Sequence, residues 1–391
     1  GEPVQARQWL LAAWEQMVLP EASASPELQV RLVTTLERSL ESIDDDWLAR
    51  MEAANRPLAP TPDAPPELWT ASKRTAANLA AMALAARLEA ERRVPTTEER
   101  TTLAGYSGWG GLSIRDAASR FPAGFPAPEE RGLIHEYYTP SLVARAVARV
   151  VAPLVPGLPS DGPRVHALEP SAGIGRFLHA FADVPDLTWH AVEWSELSAR
   201  MLRALRPELD LTIGPFERWV RERGPAMQGR LGLVVSNPPY GVRGASLAED
   251  PDRAYREKMA YPYFLRRGLD LFAPNGLGVY LIPAGFMTGR STAMAGLREK
   301  VLKRHHLAAA FRLPSVTEDR REAVFPGAML VTDLLFFRAR GGELDAVDEG
   351  NRAILAGDYF KEHPRHVLGR EIGDDHGEDD QTRRPRWGYQ V

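Results

Sequence analysis

The clearest chemistry in the sequence lies in one tetrapeptide, made of Asn237, Pro238, Pro239 and Tyr240. It follows an apolar run at 231–235 that predicts a buried strand. Two adjacent prolines neither continue a central strand nor extend a helix, so they predict a stiff turn where the strand ends. Such a turn presents an amide and an aromatic ring to solvent. Together these groups suit the edge and the face of a flat nucleobase.

A second motif lies upstream, where an apolar run at 165–168 ends at Glu169 and a turn leads into a helix near Arg176. The turn contains Pro170, Ser171, Ala172, Gly173 and Gly175. Its two glycines let the backbone pass close to a bound ligand. The next strand, 187–192, ends at Glu193, where an acidic side chain can hold the two hydroxyls of a ribose. This order of elements predicts a site for a nucleotide cofactor.

Both turns need strands that end at the same edge of a sheet. From residue 134 onward, short β-rich runs alternate with helical stretches. This alternation predicts an α/β fold with a Rossmann-like sheet that is parallel at least in its first half, carries helices on both faces and binds ligands at its carboxyl ends. The predicted strands are 165–168, 187–192, 231–235, 277–282, 307–313 and 334–337, with helices at 142–155 and 261–272 between them.

Composition shifts divide the 391 residues into five regions. They are an N-terminal helical region (1–56), a proline-rich linker (57–66), a second helical region (67–130), the α/β core (131–340) and a C-terminal extension (341–391). We expect the extension to be partly flexible. In the second helical region, Thr96 and Glu99 predict a capping box. The glycines and aromatic residues at 105–112 allow either close approach of the backbone to another group or a stiff turn.

The composition excludes several classes of protein and site. Cys is absent, which rules out disulfides, thiolate zinc sites and cysteine nucleophiles. The nine His residues lack ligand spacing with carboxylates, so we expect no metal site. We see neither a signal peptide nor an apolar run long enough to span a bilayer, and expect a cytoplasmic protein. With a net charge of −4, any contact with nucleic acid depends on a local patch or a partner.

The order of these motifs resembles that of the S-adenosylmethionine-dependent N6-adenine DNA methyltransferases of the gamma arrangement. The matching stretches are 137–140 (Tyr-Tyr-Thr-Pro), 169–177, Glu193 and 237–240. The resemblance implies that the first stretch covers the methionine end of the cofactor, the second cradles it, the acid holds the ribose and the tetrapeptide holds the target adenine. It assigns cofactor binding to Tyr138, Thr139, Pro140, Glu169, Pro170, Ser171, Ala172, Gly173, Gly175, Glu193 and Asn237.

One segment departs from the family's pattern. The family often carries an Asp or Glu at the end of the third strand, near the adenine of the cofactor, and this sequence has Pro215 there. Two neighbouring residues offer a substitute, Glu217 as the acid or Phe216 by packing on the adenine ring. We include Phe216 among the predicted cofactor contacts.

The resemblance covers roughly residues 70 to 370 and extends to the methylase part of large phage, plasmid and defence-island methylase–helicase proteins. Its further stretches are 73–112, 312–314, 332–337, 359–360, 363–364 and 368–369. It implies a modification subunit of a phage-defence or restriction-modification-like system. No helicase is present, and only about fifty residues follow 337, fewer than a target-recognition domain needs. We therefore expect a helicase or recognition subunit as protein partner, and weak DNA binding without it.

The expected reaction places a flipped adenine against the tetrapeptide. The exocyclic nitrogen of adenine is a poor nucleophile because its lone pair is delocalised into the ring. The Asn237 side chain and the Pro238 carbonyl would accept hydrogen bonds from this amino group and aim its lone pair at the sulfonium methyl. Tyr240 would stack on the base. The proton would leave to water, since an amide does not accept a proton at neutral pH.

Basic residues after the tetrapeptide are the predicted phosphate contacts that offset the cost of base flipping. They are Arg253, Arg256, Lys258, Arg266 and Arg267, followed on the next helical run by Arg298, Lys300, Lys303 and Arg304. Solvated helix faces are the alternative interpretation. We expect residues 241–257 to form a mobile loop that orders on DNA.

Two other functions stay open at this point. One is methylation of another planar amide or amine, in an RNA adenine or a protein glutamine. The other is a catalytically weak subunit that keeps the fold as a DNA- or cofactor-binding scaffold. A methyl-transfer assay on DNA, RNA and protein separates these possibilities.

Overall fold

The computed structural model describes residues 66, 69–123, 125, 136–315, 330–372 and 388–390 of the chain. The predicted helical region 1–56 lies outside these residues, as does all of the predicted linker except Pro66. Within the described ranges, no helix is both long and apolar enough to cross a membrane.

The described part of the predicted helical region 67–130 contains α1 (Ala71–Glu91), α2 (Thr97–Ala104) and α3 (Ile114–Ala118). The predicted capping box is confirmed at the start of α2, where Thr96 and Glu99 each accept a hydrogen bond from the other's backbone N–H. Leu84 and Trp109 of this helical region share an apolar cluster with Met201, which lies beyond the second strand. The helical region is therefore packed directly on the α/β core.

The described residues contain one seven-stranded sheet. Its strands are β1 (Val165–Glu169), β2 (Leu187–Glu193), β3 (Asp210–Ile213), β4 (Leu231–Ser236), β5 (Phe272–Pro283), β6 (His305–Arg312) and β7 (Thr332–Ala339). Their order is β3-β2-β1-β4-β5-β7-β6. The five strands from β3 to β5 pair in parallel, whereas β7 lies antiparallel between β5 and β6.

Helices cover both faces of this sheet. They are α4 (Ser141–Val151), which precedes β1, and then α5 (Arg176–Ala180), α6 (Glu196–Leu205), α7 (Phe216–Met227), α8 (Ala260–Leu269), α9 (Gly285–Thr288) and α10 (Thr292–Arg304). Ala167 and Leu233 pack into a cluster with α4 and α5. Their neighbours Leu168 and Val234 pack into a cluster with α7, α8 and α10, because successive side chains of a strand point to opposite faces.

The structure confirms the predicted Rossmann-like α/β fold and the parallel first half of the sheet, and it shifts several boundaries. The strand β3 was not predicted, because its four residues are half-exposed and form no apolar run. The helix predicted at 142–155 is α-helical only to Val151 and continues as a 3₁₀ helix that contains Pro153 and Pro156. The helix predicted to reach 272 ends at Leu269, and β5 already begins at Phe272.

The described part of the C-terminal extension packs on the sheet. It contains α11 (Arg352–Ala356), α12 (Tyr359–Glu362) and β8 (Arg370–Ile372), which pairs with β9 (Gly388–Gln390). Ile354, Tyr359 and Phe360 are buried in the same cluster as α8 and α10. In addition, the Tyr359 hydroxyl accepts a hydrogen bond from the Ala310 N–H of β6.

Candidate active site

The two predicted turns meet at one edge of the sheet. Strands β1 and β4 are parallel neighbours, with Leu168 opposite Val234, so their carboxyl ends lie side by side. The hydroxyl of Ser171, in the turn after β1, donates to the backbone carbonyl of Asn237 at 3.0 Å. It also lies 3.1 Å from the hydroxyl of Ser236, the last residue of β4. The glycine-containing turn and the tetrapeptide therefore border one cleft, as the sequence predicted.

The tetrapeptide after β4 has a fixed amide at its centre. The Asn237 side-chain nitrogen donates to the Thr139 hydroxyl at 3.2 Å, and the Tyr240 hydroxyl donates to the Asn237 side-chain oxygen at 2.8 Å. Pro238 is buried, whereas Pro239 is exposed. These contacts set the direction of the amide. A carbonyl-type oxygen has two lone pairs, so the Asn237 oxygen can still accept a hydrogen bond from a second donor.

Tyr240 is held from several sides. Its hydroxyl lies 3.1 Å from the carbonyl oxygen of Leu281 on β5, and its ring packs edge-on against Tyr261 with centroids 6.4 Å apart. Burial, together with the negative charge of Asp333, raises the pKa of Tyr240 well above its usual value. Tyr240 therefore stays protonated and remains a donor to Asn237 throughout the physiological pH range.

The turn after β1 needs its glycines for contact with one aromatic ring. Gly173 has a φ of +55°, and a Cβ at this position would lie 2.8 Å from the ring of Tyr138. On the other side, a Cβ at Gly108 would lie 2.7 Å from the same ring. Gly108 belongs to the glycine-rich segment 105–112. The glycines of this segment therefore allow close approach to an aromatic ring that borders the predicted cofactor turn.

Glu193 is placed at the end of β2, as predicted for a ribose-binding acid. One carboxylate oxygen accepts from the Gly173 N–H and the other from the Ser195 N–H, both at 2.6 Å. Burial raises the pKa of Glu193 to about 7, although these backbone donors act in the opposite direction. Each oxygen keeps a second lone pair for a hydroxyl donor.

Glu169, at the end of β1, is a second buried carboxylate, with only 2% of its surface exposed. One of its oxygens has no hydrogen-bond partner among the described residues. Burial and then the charge of Glu193 raise its pKa well above the usual value. A buried polar atom without a partner is costly unless a ligand satisfies it.

Two further residues at the same site, Glu136 and Trp194, were not predicted from the sequence. Glu136 is buried, and its carboxylate accepts from the Tyr106 hydroxyl at 3.0 Å and the Ser198 hydroxyl at 3.2 Å. Trp194 follows Glu193 directly and has 75% of its surface exposed. The signal for Trp194 was its position next to the predicted ribose acid. Glu136 gave no local signal, since its partners lie 30 and 62 residues away.

The two residues predicted to replace the missing acid after β3, Phe216 and Glu217, form contacts within the protein. Phe216 is buried in the core, where its ring packs against Phe264 and Trp219 with centroids 5.0 and 5.9 Å apart. Glu217 is also buried, and it accepts from Arg243 at 2.7 Å and from the Ser246 hydroxyl at 2.9 Å. The structure therefore uses the predicted substitute acid to hold the segment after the tetrapeptide. The predicted contact between Phe216 and the cofactor stays a prediction.

The segment 241–257, predicted as a mobile loop, is anchored in this structure. At its base, the Arg243 N–H donates to the Lys258 carbonyl at 2.9 Å, and the Ala260 N–H donates to the Gly241 carbonyl at 2.8 Å. In its middle, the buried Asp250 accepts from the Tyr263 hydroxyl at 2.8 Å. Buried side chains on the loop therefore fix it to the rest of the fold.

The predicted phosphate contacts fall into two groups. Arg253, Arg256 and Lys258 on the loop are exposed, and none of them forms an ion pair with a described residue. The second group consists of residues that form ion pairs within the protein or lie far from the tetrapeptide. The ion pairs are Arg266 with Glu257, Arg267 with Asp250, Lys303 with Glu299 and Arg304 with Asp270. Strand β6 runs parallel to β5, so α10 leads away from the cleft, and Lys300 and Lys303 lie toward the opposite edge of the sheet.

The prediction that Arg298 contacts phosphate is wrong. Arg298 is fully buried, and its guanidinium donates to the carbonyl oxygens of Phe286, Gly289 and Leu355. It links α10 to the elements before and after it. In the described part of the chain, no three His, Asp or Glu side chains cluster in a way that could hold a metal ion.

Part of the α/β core is similar to a known protein family. The sequence model of the family described as Eco57I restriction-modification methylase matches residues 209–315, a stretch that runs from β3 past β6 and includes the tetrapeptide. No curated protein matches the chain.

Solved structures resemble the fold at low sequence identity. A type I restriction-modification methyltransferase subunit from Streptococcus thermophilus is 18% identical, with a TM-score of 0.41, over 52% of this chain and 45% of that one. A putative class I S-adenosylmethionine-dependent methyltransferase from Listeria monocytogenes is 14% identical, with a TM-score of 0.45, over 71% and 90%. The M protein of the type I restriction enzyme EcoKI is 15% identical, with a TM-score of 0.36, over 69% and 62%. The chain thus spans less than half of the first of these proteins and 62% of the last.

Proposed function

We propose that the protein transfers a methyl group from S-adenosylmethionine to the exocyclic N6 of a flipped adenine in DNA. One observation carries this proposal: Asn237 is held by Thr139 and Ser171, which lie in the two segments predicted to bind the cofactor. The amide that would hold the base and the turn that would hold the methyl donor are therefore neighbours. The match of residues 209–315 to a restriction-modification methylase family supports the same reaction class.

The residues at the carboxyl ends of β1 and β2 fit S-adenosylmethionine. The glycine turn lets the backbone approach a ligand, Glu193 offers lone pairs to two ribose hydroxyls, and the unpartnered oxygen of Glu169 is ready for a cationic group. The exposed indole of Trp194 is well placed to stack on the adenine of the cofactor. Tyr138, Thr139 and Pro140 enclose the methionine end. When bound, the cofactor supplies a methyl group on an electron-poor sulfonium.

The residues after β4 prepare the nucleophile. The Asn237 oxygen and the Pro238 carbonyl accept hydrogen bonds from the adenine amino group, which favours a more tetrahedral nitrogen with its lone pair directed at the methyl donor. Thr139 and Tyr240 hold the amide in the required orientation. No side chain serves as base, and the proton leaves to water after the methyl group has been transferred.

We place DNA against the loop after the tetrapeptide. Arg253, Arg256 and Lys258 are exposed cations next to the catalytic turn, and they would contact phosphates and offset the cost of extruding the base. Stacking of the base on Tyr240 would contribute about 1–3 kcal/mol. Arg266, Arg267, Lys300 and Lys303 are weaker proposals, because they are ion-paired or lie away from the cleft.

We further propose that the protein is the modification subunit of a restriction-modification or phage-defence system. A recognition or helicase subunit would supply the choice of target sequence. The described residues after β7 support this division of labour, since Ile354, Tyr359, Phe360 and Leu368 pack in the clusters that cover the sheet. Gel-shift assays with and without co-purified partners test this; tight, sequence-specific binding by the isolated chain contradicts it.

The decisive assay follows transfer of a radioactive methyl group from S-adenosylmethionine to DNA, RNA and protein. We expect incorporation into DNA, loss of incorporation in Asn237→Ala, and loss of N6-methyladenine marks when DNA from cells that express this variant is sequenced. Incorporation into RNA or protein alone identifies one of the alternative substrates. Binding of DNA and cofactor without incorporation into any substrate identifies the scaffold function instead.

A further inference from the structure

The buried carboxylates Glu136 and Glu169 and the half-buried Glu193 form one connected group at the carboxyl ends of β1 and β2. Ser195 joins two of them: its N–H donates to Glu193 at 2.6 Å, and its hydroxyl lies 3.4 Å from a Glu136 oxygen. Gly173 joins Glu193 to the turn that begins at Glu169. Within the described residues, none of the three forms an ion pair, and their identified donors are neutral hydroxyl and backbone N–H groups.

Glu136 lies at the inner side of this group and connects it to the helical region. One carboxylate oxygen accepts from the Tyr106 hydroxyl and lies 3.4 Å from the Trp109 N–H, and the other accepts from Ser198. The nearby Arg176 donates to the carbonyl oxygen of Tyr106. The site therefore gathers three carboxyl groups whose partners are neutral, and one Glu169 oxygen has no hydrogen-bond partner among the described residues.

A methyl donor and its product differ in the charge that such a site senses. S-adenosylmethionine carries a positive sulfonium, whereas S-adenosylhomocysteine lacks the methyl group, has a neutral thioether in its place and is the same molecule in all other respects. We propose that Glu136 is a positioning residue whose charge, together with Glu169 and Glu193, makes the site prefer the cationic donor over the neutral product. This inference rests on the proposed function. It also gives the segment 105–112 a role, because Tyr106 and Trp109 hold this carboxylate in place.

The test compares two affinities in the full chain. The dissociation constants of S-adenosylmethionine and S-adenosylhomocysteine are measured by calorimetry at about pH 8, above the pKa of about 7 of Glu136 and Glu193. Glu136→Gln keeps the shape of the side chain and removes its charge. We expect it to weaken binding of the donor by roughly tenfold more than binding of the product, the size expected for two unit charges roughly 12 Å apart at an effective dielectric constant of about 20. Equal weakening of both ligands means a purely structural role and overturns the proposal.

A matched control lies at the start of α6. Glu196 is an exposed carboxylate next to Ser195, so Glu196→Gln removes the same charge at a solvated position. We expect it to leave the ratio of the two affinities unchanged. A shift as large as that of Glu136→Gln would mean that net charge, rather than the buried group, sets the preference, and would also overturn the proposal.

The wild-type protein provides a second test if Glu136→Gln does not fold. The preference for the donor should grow between about pH 6 and pH 8 as the carboxylates lose protons, whereas the groups shared by both ligands cancel in the ratio. The titratable and charged groups that face Glu136 are Tyr106, Tyr138 and Glu193, with Arg176 nearby. A constant ratio overturns the inference and leaves the proposed function standing. If neither ligand binds, the proposed function itself is wrong.

Discussion

The two halves of the cleft are built from opposite kinds of chemistry. The half at β1 and β2 contains two buried carboxylates, Glu136 and Glu169, and the half-buried Glu193, with neutral donors around them. The half at β4 and β5 presents a neutral amide, two prolines and a Tyr side chain. A cation suits the first half, because it relieves the cost of buried negative charge. A flat neutral ring with an amino group suits the second.

This difference explains why the contacts between the halves are short and uncharged. Ser171 and Thr139 connect them by a hydroxyl each, so they fix the distance between the two turns without carrying charge from one half to the other. A methyl donor and an acceptor need such a fixed approach, since misplacement by about 1 Å can cost on the order of 100-fold in rate. The following predictions challenge this division from the largest expected effect to the smallest.

The largest expected effect comes from removing the Asn237 amide from the neutral half. Asn237→Ala should lower the rate of methyl transfer by about 100- to 1,000-fold, the usual loss when one preorganised hydrogen-bonding group is removed. Single-turnover kinetics with labelled cofactor measures this rate. Binding of S-adenosylmethionine, measured by calorimetry, should change by less than about threefold, because the carboxylate half is intact. A collapse of cofactor binding in this variant would show that the two halves are not separable.

The second prediction concerns a substitution in the glycine-containing turn after β1, in the carboxylate half. In Gly173→Ala, the new Cβ would lie 2.8 Å from the Tyr138 ring, at a φ of +55°. We expect cofactor affinity to fall by at least about tenfold, together with a loss of about 1–2 kcal/mol of stability from the left-handed backbone. Gly229→Ala is the matched control, since Gly229 has a φ of +72° and no atom within 4 Å of the added Cβ. It should lose similar stability and keep its cofactor affinity.

The third prediction concerns which surface next to the neutral half binds DNA. Arg256→Ala should weaken DNA binding a few-fold and reduce the slope of log affinity against log salt by about 1, as expected for one phosphate contact. Lys300→Ala, toward the opposite edge of the sheet, should leave both unchanged. Fluorescence anisotropy at several salt concentrations measures them. The reverse result would place the nucleic acid on the far side of α10.

The smallest expected effect is on stability. In the cofactor-free protein, burial raises the pKa values of Glu136 and Glu193 from 4.5 to about 7, so the folded state binds protons more tightly than the unfolded state. Their contribution is fully present below pH 4.5 and is lost as the pH rises through about 7. Between about pH 5 and pH 8, the unfolding free energy of the wild type should therefore fall by on the order of 1 kcal/mol more than that of Glu193→Gln. Urea denaturation at both pH values measures this difference, and an equal or opposite slope contradicts it.

The sequence was sufficient for the centre of the fold and for the two turns. Strands such as β4 are buried on both faces, which leaves an unbroken apolar run that is easy to detect. The short edge strand β3 has only half-buried residues and gives no such signal. The placement of the tetrapeptide beside the glycine turn followed from the rule that parallel strands end at one edge of the sheet.

The sequence was insufficient where a role depends on distant partners. Arg298 looked like a surface cation on a helix, yet the carbonyl of Leu355, 57 residues later, closes over it. Glu217 looked like a free acid, yet Arg243 pairs with it across 26 residues. Local periodicity reports which residues share a helix face, but it does not report what later segments pack on that face.

The ring of Tyr138 is clasped between Gly108 and Gly173, two glycines from opposite sides of the sequence boundary near residue 130. The composition changes at that boundary, but it is not a domain boundary at which the protein can be divided. A fragment that begins at residue 131 would expose one edge of this ring and remove two donors of the Glu136 carboxylate. The helical region and the sheet should therefore melt as a single cooperative unit, and attempts to express the catalytic part by itself should yield aggregated material.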